Sequence, residues 1–295
     1  MRIRRLTAFD LINSFLLILL TFVTLYPIIN VLAISLNEGL DTMRGGITLF
    51  PRKFTLQNYN LVFKNPAVFN AFGITILRTV VGTFLSLIAT AMFAFGLSKK
   101  NLMGRKFYMG LSIISMYFSG GMIPFYLLID NLGLINSFWV YIIPNLISVY
   151  NMIIMMTNFK QIPEAMEESA RIDGAGYFTI FFKVVLPVSA PIIATIALFN
   201  AVWHWNSWFD GYLYMTKDDL LPLQNLLVRI INANSMGQTL SKAGSATAII
   251  NKFGGVTVKS VNMATMMISM IPILIVYPFL QKYFVKGMMI GSVKG

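Results

Sequence analysis

Long apolar stretches alternate with shorter polar segments along this chain. Crossing the ~30 Å hydrocarbon core of a bilayer takes about 20 helical residues. The pattern predicts six membrane-spanning helices, at about 11–36, 70–97, 107–129, 138–159, 184–206 and 261–282. The alternating segments of about ten residues that mark membrane β-barrel strands do not occur in the sequence. Since helices satisfy their own backbone polar groups in lipid, we predict an all-α integral membrane protein.

The composition also favours a membrane protein and argues against a metal site. Of the 295 residues 57% are hydrophobic and only 12% are charged, whereas a soluble domain has about a quarter charged residues. There is no cysteine, and the single histidine, His204, lacks neighbouring ligands, so we expect no metal site. No repeat, linker or low-complexity tract divides the chain, which predicts one transmembrane domain over 1–295.

The distribution of basic residues predicts the orientation, because cytoplasmic segments of membrane proteins are enriched in Lys and Arg. The longer intervening loops are poorer in basic residues for their length. Both termini and the 160–183 loop are therefore expected in the cytoplasm. This bias, together with the interaction of basic residues with lipid headgroups, explains the net charge of +12. The sequence shows no clustered basic and aromatic residues of the kind that bind nucleic acid. The basic residues of the short segments are Arg2, Arg4, Arg5, Lys99, Lys100, Arg105, Lys106, Lys160, Arg171, Lys183, Lys282, Lys286 and Lys294.

The 160–183 loop has the signals of a short helix followed by a glycine turn. Pro163 suits the first helical position, and the glutamates after it suit the positive end of a helix. Glu167 and Arg171 have the spacing of a pair on one face. Gly174 and Gly176 are expected to end the helix. The other predicted contact residues are Glu164, Glu168, Ser169, Ala170 and Asp173, around a small, mildly apolar face that another protein can approach closely.

This loop resembles the coupling loop of permease subunits of ATP-binding-cassette (ABC) importers. The family signature is E-A-A, three residues, G, nine residues and I-x-L-P. Here it reads Glu168-Ser169-Ala170, then Gly174, then Val184-Val185-Leu186-Pro187. Ser169 and Val184 are the two departures. SGGMIP (119–124), NLGLINS (131–137), WNSWFD (205–210) and YPFLQKYFVKGMMIGSVKG (277–295) extend the resemblance to carbohydrate permeases of the maltose-transporter group, and to a branch associated with fragments of complex polysaccharides.

The resemblance implies a fold and a set of partners. The fold is the six-helix architecture of a type I ABC-importer permease in the inner membrane of a prokaryote. The partners are a homologous second permease subunit forming a heterodimer, two ATPase subunits and an extracellular solute-binding protein. The 164–174 helix is expected to dock on an ATPase, and the 211–260 loop to engage the binding protein. The chain has no Gly-Lys dipeptide and so no phosphate-binding loop; ATP and Mg²⁺ are expected on the partner ATPases, and the chain itself should be no enzyme and bind no cofactor.

The candidate substrate path rests on an aromatic cluster and on buried polar positions. Three of the four tryptophans, with Asn206, Phe209 and Asp210, end the fifth predicted span, where they either anchor the membrane interface or bind a sugar. Arg78 lies inside the second span and either faces a partner or wet cavity or extends to the outer surface. Tyr117 precedes Gly120 and Gly121, which allow either close helix packing or a local break. The tryptophans are Trp203, Trp205 and Trp208.

Two other functions fit the same composition. A secondary transporter would have internal repeats and ion-coupling carboxylates within its spans, and the six predicted spans contain no Asp or Glu. An importer of the same architecture for a non-sugar solute stays open, because the tryptophan cluster favours sugars only mildly. An oligosaccharide importer subunit is the interpretation that we take forward.

Overall fold

The structure is a computed structural model that describes residues 7–240 and 256–292. Within these ranges it is helical, with no strand and a single isolated bridge between Asn37 and Phe54, which confirms the predicted all-α class. The helices are α1 Ala8–Ser35, α2 Gly39–Met43, α3 Gln57–Phe63, α4 Pro66–Ser98, α5 Arg105–Tyr117, α6 Met122–Asn131, α7 Val149–Phe159, α8 Glu164–Ile172, α9 Tyr177–Ile180, α10 Leu186–Val188, α11 Ala190–Asn206, α12 Phe209–Tyr214, α13 Leu223–Leu240 and α14 Val258–Ser292.

Three helices are long and apolar enough to cross a bilayer on their own: α1, α4 and the Val258–Pro278 part of α14. Three more candidate spans are bent pairs: α5 with α6 at 116°, the 3-10 turns of Phe138–Asn145 with α7 at 50°, and Tyr177–Val188 with α11 at 87°. Each of the predicted spans 107–129, 138–159 and 184–206 therefore contains a break and is not one straight helix. The count of six spans and the orientation of the termini stay predictions.

The breaks lie at residues that oppose a continuous helix. Gly121, between α5 and α6, has φ 89°, a conformation that glycine adopts without steric cost. Of the two alternatives for Gly120 and Gly121, the structure has the local break. The break before α11 lies at Ser189, two residues before Pro191 and after a π-helical turn at Phe181–Val185. Proline lacks the N–H that would continue the hydrogen-bond ladder, which explains an interruption close to Pro187 and Pro191.

The predicted boundaries differ most in the last third of the chain. α14 runs through Ser292 instead of ending near 282, because glycines such as Gly287 cost a helix only about 1 kcal/mol each. α13 begins at Leu223, since Pro222 holds Leu221 in extended backbone (ψ 128°). Residues 241–255 of the 211–260 loop lie outside the described residues.

The chain forms two compact units, Met1–Val68 with Leu227–Pro272 and Phe69–Leu226 with Ile273–Gly295. The prediction of one domain over 1–295 stays a prediction. In the first unit Asn37, fully buried, donates to the Asp41 carboxylate at 3.0 Å, and Arg52 donates to the same carboxylate at 2.9 Å. Hydrogen bonding to Asn37, followed by the charge of Arg52, holds the pKa of Asp41 below its usual value.

In the second unit α4 carries a buried polar stripe, at Thr75, Arg78, Gly82, Ser86 and Thr90. Three- and four-residue steps put these positions on one face of the helix. The stripe bonds to backbone that helices leave unpaired: Thr75 accepts from the N–H of Leu223, the first residue of α13, at 2.8 Å, and Ser86 and Thr90 bond to the 145–148 connection.

The part of this unit that contains the 168–187 signature packs around one apolar core. The last turns of α4 meet α7, α9, the π-helical turn and α11, and the core is filled by Ala91, Ala94, Phe95, Leu97, Met152, Met155, Phe159, Ile180, Phe181, Val185 and Ile196. Ala170 of α8 packs against this core from outside. Ala170 is therefore the side chain of α8 that makes apolar contact with this core, and most of the helix lies at the surface.

Candidate functional site

α8 is an exposed helix with two well-formed ends. Pro163 is the N-cap, with ψ 130°, and not the first helical residue as predicted, because its φ suits a helix but its ψ is extended. At the other end Gly174 adopts φ 83°. Its N–H bonds to the Arg171 carbonyl, and the Ala175 N–H bonds to the Ala170 carbonyl, both at 2.9 Å. These two bonds form a Schellman motif, so the glycine of the signature is needed for its left-handed backbone.

None of the side chains of α8 is buried. Ala165, Glu168, Ser169 and Ile172 are exposed, and Ile172 is 86% exposed. Single exposed apolar residues are common at protein surfaces, and here the small residues beside Ile172 leave the surface of α8 accessible. Asp173 is the exposed C-cap. The sequence-predicted residues of this group thus share one exposed helix and its closing turn.

The charged residues of α8 have partners that their spacing did not reveal. Glu167 pairs with Lys99, which follows the end of α4, and Glu164 pairs with Lys100 at 2.7 Å. The hydrogen bond and charge of Lys100 hold the pKa of Glu164 below its usual value. Arg171 lies over the Tyr177 ring, 5.2 Å from its centroid, so the expected pairing of Glu167 with Arg171 is wrong. An exposed i,i+4 ion pair such as Glu167–Arg171 would contribute only about 0.3–0.5 kcal/mol. The partly buried Lys99–Glu167 pair and the contact of Arg171 with the Tyr177 ring therefore form in its place.

The aromatic cluster forms one wall of a cleft of about 670 Å³ in the second unit. Its mainly apolar lining includes Trp203, Asn206, Trp208, Phe209 and Tyr277. Trp203, Trp208 and Phe209 each expose roughly two-fifths of their surface or more. The Asn206 amide donates to the Val202 carbonyl at 2.8 Å. Flat aromatic faces with a few polar groups suit a ligand that has both C–H faces and hydroxyls.

Two of the predicted path residues lie elsewhere. Trp205 is buried and packs edge-on against Phe72, with centroids 5.9 Å apart, so within this cluster it is a packing residue and lines no cleft. Tyr117 ends α5, is 76% exposed and does not line this cleft. The helical period explains the difference for Trp205, because it is only two residues from Trp203 and so points away from it.

Arg78 and Asp210, predicted separately, form one buried ion pair. Arg78 is 0% exposed, and its guanidinium contacts both Asp210 oxygens, at 2.5 and 3.3 Å, and the Ser207 carbonyl at 3.2 Å. It also lies 4.4 Å from the centroid of the Tyr141 ring. Arg78 therefore does not extend to the outer surface. Because Asp210 neutralises it, it is no free cation for an acidic sugar, and Asp210 is not free to bind hydroxyls.

Sequence reasoning missed Lys99, Tyr141 and His204 as parts of these sites. His204 is buried, and its ring fills the space left by Gly82: a Cβ there would lie 2.5 Å from the imidazole. Lys99 and Tyr141 act on residues more than 60 positions away along the chain, so no local spacing points to them. In the part of the chain that the structure describes, no cluster of three or more His, Cys, Asp or Glu could hold a metal.

Comparison with known proteins gives consistent matches over almost the whole chain. Residues 82–290 match the family described as binding-protein-dependent transport system inner membrane component. The chain is 38% identical to the polygalacturonan/rhamnogalacturonan transport system permease protein YtcP of Bacillus subtilis, covering 97% of this chain and 98% of YtcP. It is also 38% identical to Protein LplC of the same organism, covering 97% and 95%.

A more distant relative and a solved structure also match this chain over most of its length. The arabinooligosaccharides transport system permease protein AraQ of Halalkalibacterium halodurans is 26% identical, with 94% of this chain and 93% of AraQ covered. A chain from the crystal structure of a bacterial ABC transporter involved in the import of the acidic polysaccharide alginate superimposes with a TM-score of 0.84 at 30% identity, covering 94% of this chain and 96% of that one.

Proposed function

Because this chain belongs to the family of binding-protein-dependent transport system inner membrane components, we propose that it is the transmembrane subunit of an ATP-driven oligosaccharide importer. The observation that carries the proposal is the exposed α8 with its glycine-closed end, next to the matches with permeases whose names state oligosaccharide or polysaccharide transport. Such a subunit performs no covalent chemistry. It forms part of the path that the sugar takes across the membrane, and its helices change between two arrangements when the partner subunits hydrolyse ATP.

The substrate side of the proposal rests on the aromatic cleft. Trp203 and Trp208 stack on the C–H faces of sugar rings, and Asn206 bonds to hydroxyls. Since Arg78 is already paired with Asp210, this cleft recognises the faces and hydroxyls of a sugar and not its charge. Phe209 completes the wall of the cleft, while Trp205 and Asp210 support it as a packing residue and as the partner of Arg78. Tyr117 lies outside the cleft and belongs to another part of the proposed path.

The proposed coupling of transport to ATP hydrolysis rests on α8. Residues 164–174 dock in a cleft on an ATPase subunit. ATP and Mg²⁺ bind to the ATPase subunits and not to this chain. The chain works as a heterodimer with a homologous permease, with two ATPases and an extracellular solute-binding protein. Six spans with cytoplasmic termini put α8 on the ATPase side of a prokaryotic inner membrane. The basic residues near α8 support this orientation.

The test of substrate binding is oligosaccharide-stimulated ATP hydrolysis by the complete complex in proteoliposomes, screened with neutral and acidic oligosaccharides. Trp208→Ala is expected to raise the half-saturating sugar concentration about tenfold, since a stacked aromatic anchor contributes roughly 1–2 kcal/mol. Trp139→Ala is the matched control, because Trp139 is similarly exposed but lies outside the cleft. If both variants respond to sugar as wild type does, the tryptophan cluster only anchors the membrane interface.

A further inference from the structure

The two lysines that follow α4 both reach α8, but they do so in different surroundings. Lys99 donates to both carboxylate oxygens of Glu167, and the two side chains are 21% and 14% exposed. Lys100 contacts Glu164 at 2.7 Å, and those two side chains are 79% and 72% exposed. An ion pair in bulk water contributes little to stability, whereas one that is largely removed from water is costly to break. Only the Lys99 pair is therefore a strong connection.

The Lys99 pair also lies against the apolar core of the second unit. The Lys99 ammonium is 4.1 Å from the centroid of the Phe95 ring, and Phe95 packs on Phe181 with centroids 5.3 Å apart. Both phenylalanines are buried. A cation over an aromatic face is attracted to it, so Lys99 joins α8, α4 and the π-helical turn at one point.

The end of α4 to which Lys99 is attached is itself fixed. Ser98 donates to the Phe95 carbonyl at 2.7 Å, and Arg105 donates from Nε to the Leu97 carbonyl at 2.9 Å. From there α4 runs as one uninterrupted helix to Arg78, about 30 Å away at 1.5 Å per residue. At that position Arg78 holds Asp210, next to Trp208 and Phe209 of the cleft. A continuous helix thus connects the α8 contact with the aromatic cleft.

We propose that Lys99 is a positioning residue that fastens α8 to α4, so that the two helices move as one rigid body. This inference rests on the proposed function, in which an ATPase displaces α8. A displacement of α8 is then passed through the Lys99–Glu167 pair to α4, and along α4 to the Arg78–Asp210 pair beside the cleft. The exposed Lys100–Glu164 pair has no part in this transmission.

The first test compares Lys99→Met with Lys100→Met in the reconstituted complex, and measures sugar transported per ATP hydrolysed. Lys99→Met is expected to lower this ratio at least about fivefold, the lower end of typical coupling between sites. Lys100→Met should change it by less than about twofold, as expected for an exposed pair. Equal ratios for Lys99→Met and wild type, in equally assembled complexes, would overturn the inference.

A second test keeps the Lys99 pair intact and does not depend on how well Lys99→Met assembles. The chain has no cysteine, so a variant with Lys100→Cys and Glu164→Cys can be cross-linked by a short reversible reagent between these two exposed positions. The reference is the same variant with both cysteines capped by the monofunctional form of the reagent, because this disturbs the docking residue Glu164 equally without joining the two helices. If α8 and α4 move together, the cross-linked and the capped samples should transport at rates within about twofold of each other. Loss of transport in the cross-linked sample but not in the capped one would show relative motion and contradict the inference.

Gly174→Trp separates this inference from the proposed function. If Gly174→Trp transports normally, coupling through α8 is wrong, and the positioning role of Lys99 is overturned with it. If Gly174→Trp stops transport while Lys99→Met keeps the wild-type ratio, α8 couples to the ATPase but Lys99 does not fasten it to α4. In that outcome only the inference about Lys99 fails.

Discussion

The two ion pairs attached to α4 differ in how much water they meet and in what their breakage would do. Arg78 is fully buried, and its Nε has no partner among the described residues. Lys99 and Glu167 keep part of their surface exposed. A fully buried pair seldom stabilises a fold more than apolar residues would, but losing one partner leaves a buried charge. The Arg78 pair therefore fixes geometry beside the cleft, whereas the Lys99 pair can be broken with less damage to the fold.

The largest effect is expected from breaking the Arg78 pair on one side. Arg78→Met leaves the Asp210 charge without its partner, which should lower the free energy of unfolding by about 3–5 kcal/mol. Thermal unfolding of the purified complex in detergent measures this. The double variant Arg78→Met with Asp210→Leu removes both charges and should recover most of the loss. A single variant as stable as wild type would mean that the pair is not formed in the membrane.

A smaller effect sharpens the contrast between the two regions of α4. Gly82→Ala puts a Cβ 2.5 Å from the buried His204 ring, and such overpacking costs about 1–3 kcal/mol. Gly96→Ala is the matched control near Lys99, where a Cβ meets nothing within 4 Å, and it should be neutral or stabilise the helix by up to about 1 kcal/mol. Midpoints of thermal unfolding that shift equally in both variants would refute the tight packing around His204.

The smallest effect concerns the hydrogen bond that Thr75 accepts from Leu223. Thr75→Val keeps the shape but leaves the buried N–H of Leu223 unpaired, at a cost of about 1–2 kcal/mol in the free energy of unfolding. Thr157→Val is the control, since its exposed hydroxyl bonds only to the Ile153 carbonyl of its own helix. Hydrogen exchange at the start of α13 should become faster in the first variant and not in the second. Unchanged exchange in Thr75→Val would mean that Thr75 does not cap α13.

The sequence allowed α8 to be predicted closely and the ion pairs hardly at all. The Glu168-to-Pro187 signature is local, so its helix start was wrong by only one residue, at Pro163. Arg78 and Asp210 were each selected, but they are 132 positions apart, and no spacing rule joins such residues. The partner of Glu167 was missed for the same reason. Local rules favoured Arg171, while tertiary packing brought Lys99 over Phe95.

The breaks in the helices show the same limit. Gly121 was recognised as a place where a helix can end, because its lack of a side chain is a local property. The 87° break at Ser189 was not expected, since proline is accepted in the first turn of a helix and neither Pro187 nor Pro191 alone requires a new direction. Packing of the π-helical turn into the core around Phe181 and Val185 decides that geometry.

The most direct measurement of the central claim is uptake of a labelled oligosaccharide into proteoliposomes that contain either the complete complex or this chain alone, with and without ATP on the α8 side. Uptake is expected only by the complete complex with ATP, and Gly174→Trp should abolish it. Uptake by the isolated chain in the absence of nucleotide would contradict the claim that α8 receives its work from a separate ATPase.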